Sequence, residues 1–287
     1  MWMVWYQHQW EGISTSYEEE MLLKEVRNIR QYHRKMGGRK LYELLEPFMM
    51  AHNIKIGRDA LFSILAANHL LVKRRKRKIQ TTNSLHWLRK YPNLIRDFEP
   101  TGINQLWVSD ITYWKLGDKH SYISFITDAY SRKIVGYNVA ESLEAIESIS
   151  SLQMALSALG ADKPLQLIHH SDRGVQYCSS GYVKLLQDYN IQISMTENGD
   201  PLENAIAERL NGIMKQEYLE DQNINTINEA RALLAQVVHL YNNERPHMSI
   251  GYLKPNQVHH SNKNFTTEKL WKNYYQKNTT IVNQSQD

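Results

Sequence analysis

The 287-residue chain has one cysteine, Cys178, so it can form no disulfide within itself, which suits a reducing cytosol. No run approaches the roughly 18 apolar residues that span a bilayer, which excludes a membrane-spanning reading. The opening Met1-Trp2-Met3-Val4-Trp5-Tyr6 is apolar but brief, lacks a basic flank and soon meets Glu18-Glu19-Glu20. It is read as no secretion signal, and a cytoplasmic location is expected. Charge of one sign is also scarce: 34 Lys and Arg stand against 30 Asp and Glu, a net +4. Net charge is therefore a weak hint of nucleic acid, and its distribution says more. There is no internal repeat and no His or Cys set at metal-ligand spacing. What remains is an ordinary globular composition, 42% hydrophobic and 22% charged, long enough for two domains.

Residues 1–17 are aromatic-rich, carry no clear period and are left unassigned. From Tyr17 the pattern is helical: Leu22, Val26 and Ile29 form one stripe, Gly37-Gly38 breaks it, and Leu41, Leu44, Leu45 and Phe48 resume it. A third helix is expected from Arg58 to about Asn68, with Leu61, Ile64 and Leu65. Three short helices with Gly-containing turns match a helix-turn-helix module, and equally a plain three-helix bundle. Six consecutive cations follow, Lys73, Arg74, Arg75, Lys76, Arg77 and Lys78. Such a block is either a solvated run or an arm that faces nucleic acid. The helical domain with this run spans 18–78, and 79–100 read as a linker. From residue 101 to about 260 the order is β-β-β-α-β-α-β-α-α, mixed α/β with an antiparallel meander first. Residues 261–287 form a polar tail.

Three carboxylates stand out against these patterns. Asp110 interrupts an apolar, aromatic strand (Trp107 to Tyr113), where a lone charge is expensive to bury. Asp172 closes the strand Ile168-His169-His170-Ser171, a strand end of the kind that opens on a crevice in α/β sheets. Glu208 lies near the start of a helix whose stripe also holds Asn204, Asn211 and Lys215, opposite Ile206, Leu210 and Ile213. Two neighbouring acids make burial worse unless a cation sits between them. A set made only of oxygen ligands selects a hard ion, Mg²⁺ or Mn²⁺ in its place. Two such ions about 4 Å apart would activate a water or a 3′-hydroxyl and stabilise the leaving oxygen of a phosphodiester. Each acid singly is a surface or capping residue; as a set, the chemical reading is favoured. His169 and His170 invite a general-base reading that a two-metal site does not need. Arg245 with His247 suits either a phosphate contact or a structural salt bridge.

These residues sit in phrases that resemble a known family. The phrases are His86-Trp87-Leu88-Arg89-Lys90-Tyr91-Pro92, Asn104 to Tyr113, Asp128-Ala129-Tyr130-Ser131-Arg132, His169 to Tyr177, Glu203 to Arg209, and Tyr241 to His247. Over roughly residues 20–258 the chain resembles insertion-sequence transposases with a retroviral-integrase-like core, products of the second reading frame of two-frame elements. The resemblance implies an RNase H-like catalytic core preceded by a small all-α helix-turn-helix domain. It implies metal ligation by Asp110, Asp172 and Glu208, and a DNA-contacting base at Lys215, otherwise a solvated lysine. It further implies action on DNA at the element's terminal repeats and target, assembly as a homo-oligomer on DNA, and the upstream-frame product as a partner. Many relatives have Asp where this chain has Glu203. The rival readings are a structure-selective nuclease of the same fold and a DNA-binding regulator with an inactive core.

Overall fold

The computed structural model describes residues 2–72, 87–159, 166–197 and 204–261, with side chains from residue 17 on. Three helices come first: α1 (Trp2–Tyr32), α2 (Gly38–Ala51) and α3 (Arg58–Ala67). Leu22 and Val26 of α1, Leu41, Leu45 and Met49 of α2, and Leu61 and Leu65 of α3 close on one another as a separate small core. Their i, i+4 spacing puts each set on one face of its helix. One expectation changes: α1 starts at Trp2, so the boundary expected at 17–18 falls inside a helix. The cationic run Lys73–Lys78, Glu203 and the polar tail lie outside the described residues.

The second part is built on a five-stranded mixed sheet. β1 (Leu106–Leu116), β2 (Lys119–Asp128) and β3 (Ile134–Ala140) form the antiparallel meander. Gly117, at φ 56°, supplies the left-handed turn between the first two. β4 (Ile168–Ser171) and β5 (Gln192–Met195) join in parallel on the other side of β1, giving the order β3-β2-β1-β4-β5. α4 (Ala145–Ala158), α5 (Val175–Cys178) and α6 (Ser180–Asp188) cover one face, with Trp107, Ile126 and Val135 beneath them. A Cβ on Gly136 of β3 would lie 2.2 Å from the Ser151 carbonyl oxygen, so that glycine lets α4 lie directly on the strand. α7 (Ala205–Ile213) and α8 (Ile227–Asn243) cover the other face over Trp114, Ile123 and Phe125. α8 opens on a reciprocal capping box between Thr226 and Glu229, and α9 (Pro255–His259) closes the described chain. The core is RNase H-like, a mixed five-stranded sheet flanked by helices, with an N-terminal helical region before it.

One feature of the register places the chemistry. β4 is only four residues long and pairs with Leu106–Ser109 alone, whereas β1 runs on to Leu116 beside β2. Beyond Ser109 that edge of β1 has no strand against it among the described residues.

Candidate active site

Asp110 is the first residue of β1 past the end of its pairing with β4. Ser109 registers with Ser171, so the next residue of each parallel strand, Asp110 and Asp172, emerges side by side. Burial first, and then the charge of Asp172, push the Asp110 carboxyl up to about 7; the Ile111 and Asn211 hydrogen bonds pull it down, and Glu208 adds a smaller upward push. Both its oxygens are held: Oδ1 accepts from the Ile111 backbone N–H at 2.9 Å and Oδ2 from Asn211 Nδ2 at 2.8 Å. Asp172 Oδ1 accepts from the Gly174 backbone N–H at 3.0 Å, which ties the turn after β4 to this carboxylate.

α7 is laid across the strand by two amides of its polar stripe. Asn204 Nδ2 donates to the Ser109 carbonyl oxygen at 3.0 Å, and Asn211 reaches Asp110. The stripe is therefore not a solvent face throughout: Asn204 and Asn211 are buried against β1, while Glu208 between them is exposed. Leu210 and Ile213 pack into the main core from the other side of the same helix. α7 passes without a break into a π-helical turn, Met214–Leu219. Lys215 sits at its start, half-buried, with Nζ 5.9 Å from the centroid of the Tyr113 ring. Burial lowers its pKa, against the raising charges of Glu220 and Asp110, so its ammonium belongs to the same electrostatic field as the acids. The roles of Asn204 and Asn211 carried no separate signal in the sequence beyond their place on the Glu208 stripe.

Other candidates fall elsewhere. His169 is buried, shares a 2.9 Å hydrogen bond with Tyr182 Oη, and is driven by burial down to about 3. His170 is buried and shares a 2.8 Å bond with Ser194 Oγ. Both are interior packing residues of β4. Arg245 corrects the phosphate-contact expectation. Only 1% exposed, it donates from Nε and Nη2 to the two oxygens of Glu217, each at 2.8 Å. Its fork is filled by a carboxylate, which is the salt-bridge reading. Asp128, in the third family phrase, is wholly buried and holds the β2–β3 turn by accepting from Ser131 N, Ser131 Oγ and Asn104 N, each at 2.7 Å. Cys178 is buried against Met195 and is a core side chain.

The donor chemistry suits a hard divalent cation. The charge of Asp172 adds to the cost of ionising the buried Asp110, which a cation would relieve, and Asn211 Oδ1 is a buried acceptor with no hydrogen-bond partner. Every available donor there is oxygen. Among the described residues, no three His, Cys, Asp or Glu side chains are grouped closely enough to hold one ion.

Comparison with known proteins bears on the family of the chain. The family description Integrase core domain matches residues 100–201 and, in a second form, residues 189–255. A 31 kDa protein of insertion element IS600 from Shigella sonnei is 34% identical over 254 residues, covering 88% of this chain and 90% of its own length. The transposase of insertion sequence element IS629, also from Shigella sonnei, is 29% identical, covering 83% of this chain and 78% of its own. Among solved structures, the HTLV-2 integrase catalytic core domain in complex with magnesium is similar at 22% identity. That match covers 55% of this chain and 98% of the other, at a TM-score of 0.45.

Proposed function

Since the chain belongs to the insertion-sequence transposases with an integrase-like core, an enzyme family of DNA transposition, we propose that Asp110, Asp172 and Glu208 are its metal-binding catalytic acids. They would serve cleavage at the element's ends and transfer of the freed 3′-hydroxyl into target DNA. The observation that carries this assignment is the register at Ser109 and Ser171, which sets two carboxylates side by side where β1 loses its strand neighbour. Mg²⁺, two ions or Mn²⁺ in their place, would supply Lewis-acid stabilisation of charge at the attacking and leaving oxygens when bound. The residues of the chain do the rest. Ile111 N–H and Asn211 fix both oxygens of Asp110, so that its lone pairs are aimed before substrate arrives. Gly174 N–H does the same for one oxygen of Asp172. Glu208, exposed on the first turn of α7, is the acid that closes over them. The Lys215 ammonium, beside the acids, would take a DNA phosphate, as would the run Lys73–Lys78.

The helical module is assigned the terminal repeats. Assembly on DNA as a homo-oligomer, and a partnership with the upstream-frame product of the element, complete the reading. The test uses a labelled duplex carrying the terminal repeat, the purified chain and Mg²⁺. Nicks and joined products that vanish in Asp172→Asn support it. Nicks without joining favour the structure-selective nuclease, and binding without either product favours the regulator.

A further inference from the structure

The helical module and the catalytic core meet through polar contacts, the Lys40–Glu217 pair largely buried among them, and these gather about Glu217–Asp221 and Glu244-Arg245 of the core. His33, 3% exposed at the end of the first helix, lies 3.0 Å from Tyr218 Oη through Nδ1 and 3.3 Å from Glu244 Oε2 through Nε2. Lys35 pairs with Asp221. Lys40, in the first turn of α2, donates from Nζ to Glu217 Oε1 at 2.9 Å, with the two side chains only 12% and 14% exposed. Arg245 grips the same Glu217 carboxylate through two bonds. One carboxylate is thus shared by a cation from each part of the molecule. Burial opposes its ionisation, but Arg245 first and then Lys40 hold its pKa below the ordinary range.

Burying charges is a poor way to gain binding strength, because desolvation consumes most of the attraction. What such an arrangement does supply is direction: a hydrogen-bonded ion pair is satisfied in one relative orientation, whereas an apolar contact tolerates sliding. Here the direction is transmitted to the acids. Glu217 lies nine residues beyond Glu208 on a single uninterrupted helical run, α7 and its π turn. That is about 13 Å along one rod at the α-helical rise. The Lys40 amine faces the core, so it is spent on this joint and not on DNA.

We propose that the Lys40–Glu217–Arg245 joint, braced by His33 and Lys35, is a spacer that selects the phosphodiester to be cut. It fixes the distance and angle between the module that holds the terminal repeat and the helix that carries Glu208. Lys40 and Glu217 are then positioning residues that determine where the enzyme cuts, not whether it can. The inference rests on the reading that the core cuts DNA held by the module.

The variant that tests it is Lys40→Met, which leaves the Glu217–Arg245 pair balanced; Glu217→Gln would strand two buried cations and endanger folding. Cleavage of an end-labelled terminal-repeat duplex in Mg²⁺ is mapped to the nucleotide for the full-length wild type, Lys40→Met and Lys40→Arg, alongside repeat binding without metal. Lys40→Met is expected to bind the repeat as the wild type does. Its rate at the wild-type position is expected to fall roughly 10–100-fold, as small misplacements at a reacting centre do, while cuts appear at neighbouring positions. Lys40→Arg, which keeps the cation, is expected to restore the single position. An unchanged cut position in Lys40→Met overturns the spacer and leaves the proposed activity standing. A higher rate at that same position overturns it too, marking the joint as a brake. A wild type that cuts nothing overturns the proposed activity and the spacer together.

Discussion

One helical run, 205–219, carries two charged clusters with opposite logic. At its start Glu208 adds its charge to that of Asp172 on Asp110, whose carboxyl burial first and then these acids push up to about 7. At its end Glu217 faces Lys40 and Arg245, and its carboxyl is held below the ordinary range. The second cluster is complete: its carboxylate has a partner on each oxygen. In the first, the two oxygens of the buried Asp110 accept from neutral donors, Ile111 N–H and Asn211, and neither of these donors is a cation that answers its charge. Like charge beside a buried unpartnered acceptor, Asn211 Oδ1, is what the proposed cation would relieve. A protein that balances charge between two parts is built to hold them in register.

The comparison breaks most visibly by removing an acid from the first cluster. Asp110→Asn or Asp172→Asn is expected to lower cutting and joining by at least about 1000-fold, above 4 kcal/mol of barrier, with repeat binding retained. Equal turnover in either variant would take that residue out of the ligand set. The second cluster breaks differently. Glu217→Gln is expected to cost about 3–5 kcal/mol of stability, because Arg245 is left buried without its anion. Lys40→Met should cost far less, since a balanced pair remains. Urea midpoints at equal m-value measure both, and equal losses would mean that Arg245 does not depend on Glu217.

The two clusters also differ in the sign of their pH dependence. Asp110 binds its proton more tightly in the folded chain than in the unfolded one, so without metal its contribution favours folding at low pH. It declines as pH rises from the ordinary carboxylate range through about 7. Glu217, with its carboxyl depressed, contributes stability above the ordinary range that is lost as pH falls through its folded value. Metal-free stability of Asp110→Asn should therefore fall less than that of the wild type between about pH 4 and pH 7. Mg²⁺ favours the ionised acid, so its stabilising effect should grow across the same interval. Parallel wild-type and variant curves would contradict the shift. The smallest expected effect is at the edge of the site. Lys215→Met should weaken DNA binding and reduce its logarithmic salt slope by about 1 if the amine meets a phosphate. An unchanged slope would confine Lys215 to its contact with Tyr113.

The acids are legible in the sequence because each breaks a local pattern: Asp110 an apolar strand, Asp172 a strand end, Glu208 the face of an amphipathic helix. The three strands of the meander are legible by their β-branched and aromatic runs. What the sequence does not carry is the pairing of distant residues. Nothing near Lys40 points to Glu217, 177 positions away, and nothing near His33 points to Tyr218. Arg245 is ambiguous for a related cause, since a guanidinium fits phosphate and carboxylate alike and only the fold supplies Glu217. The helix over 2–16 escapes because it shows no period, and the asparagines of α7 because an amide on a polar stripe looks solvated until the strand beneath it is known.

Glu208 is proposed to act with Asp110 and Asp172 on DNA at the element's end. Wild type and Glu208→Gln, each incubated with Mg²⁺, a labelled terminal-repeat duplex and a target duplex, are compared for nicked and joined strands. Both products are expected for the wild type and neither for Glu208→Gln, with the repeat bound equally by both. Joined products from Glu208→Gln would contradict it.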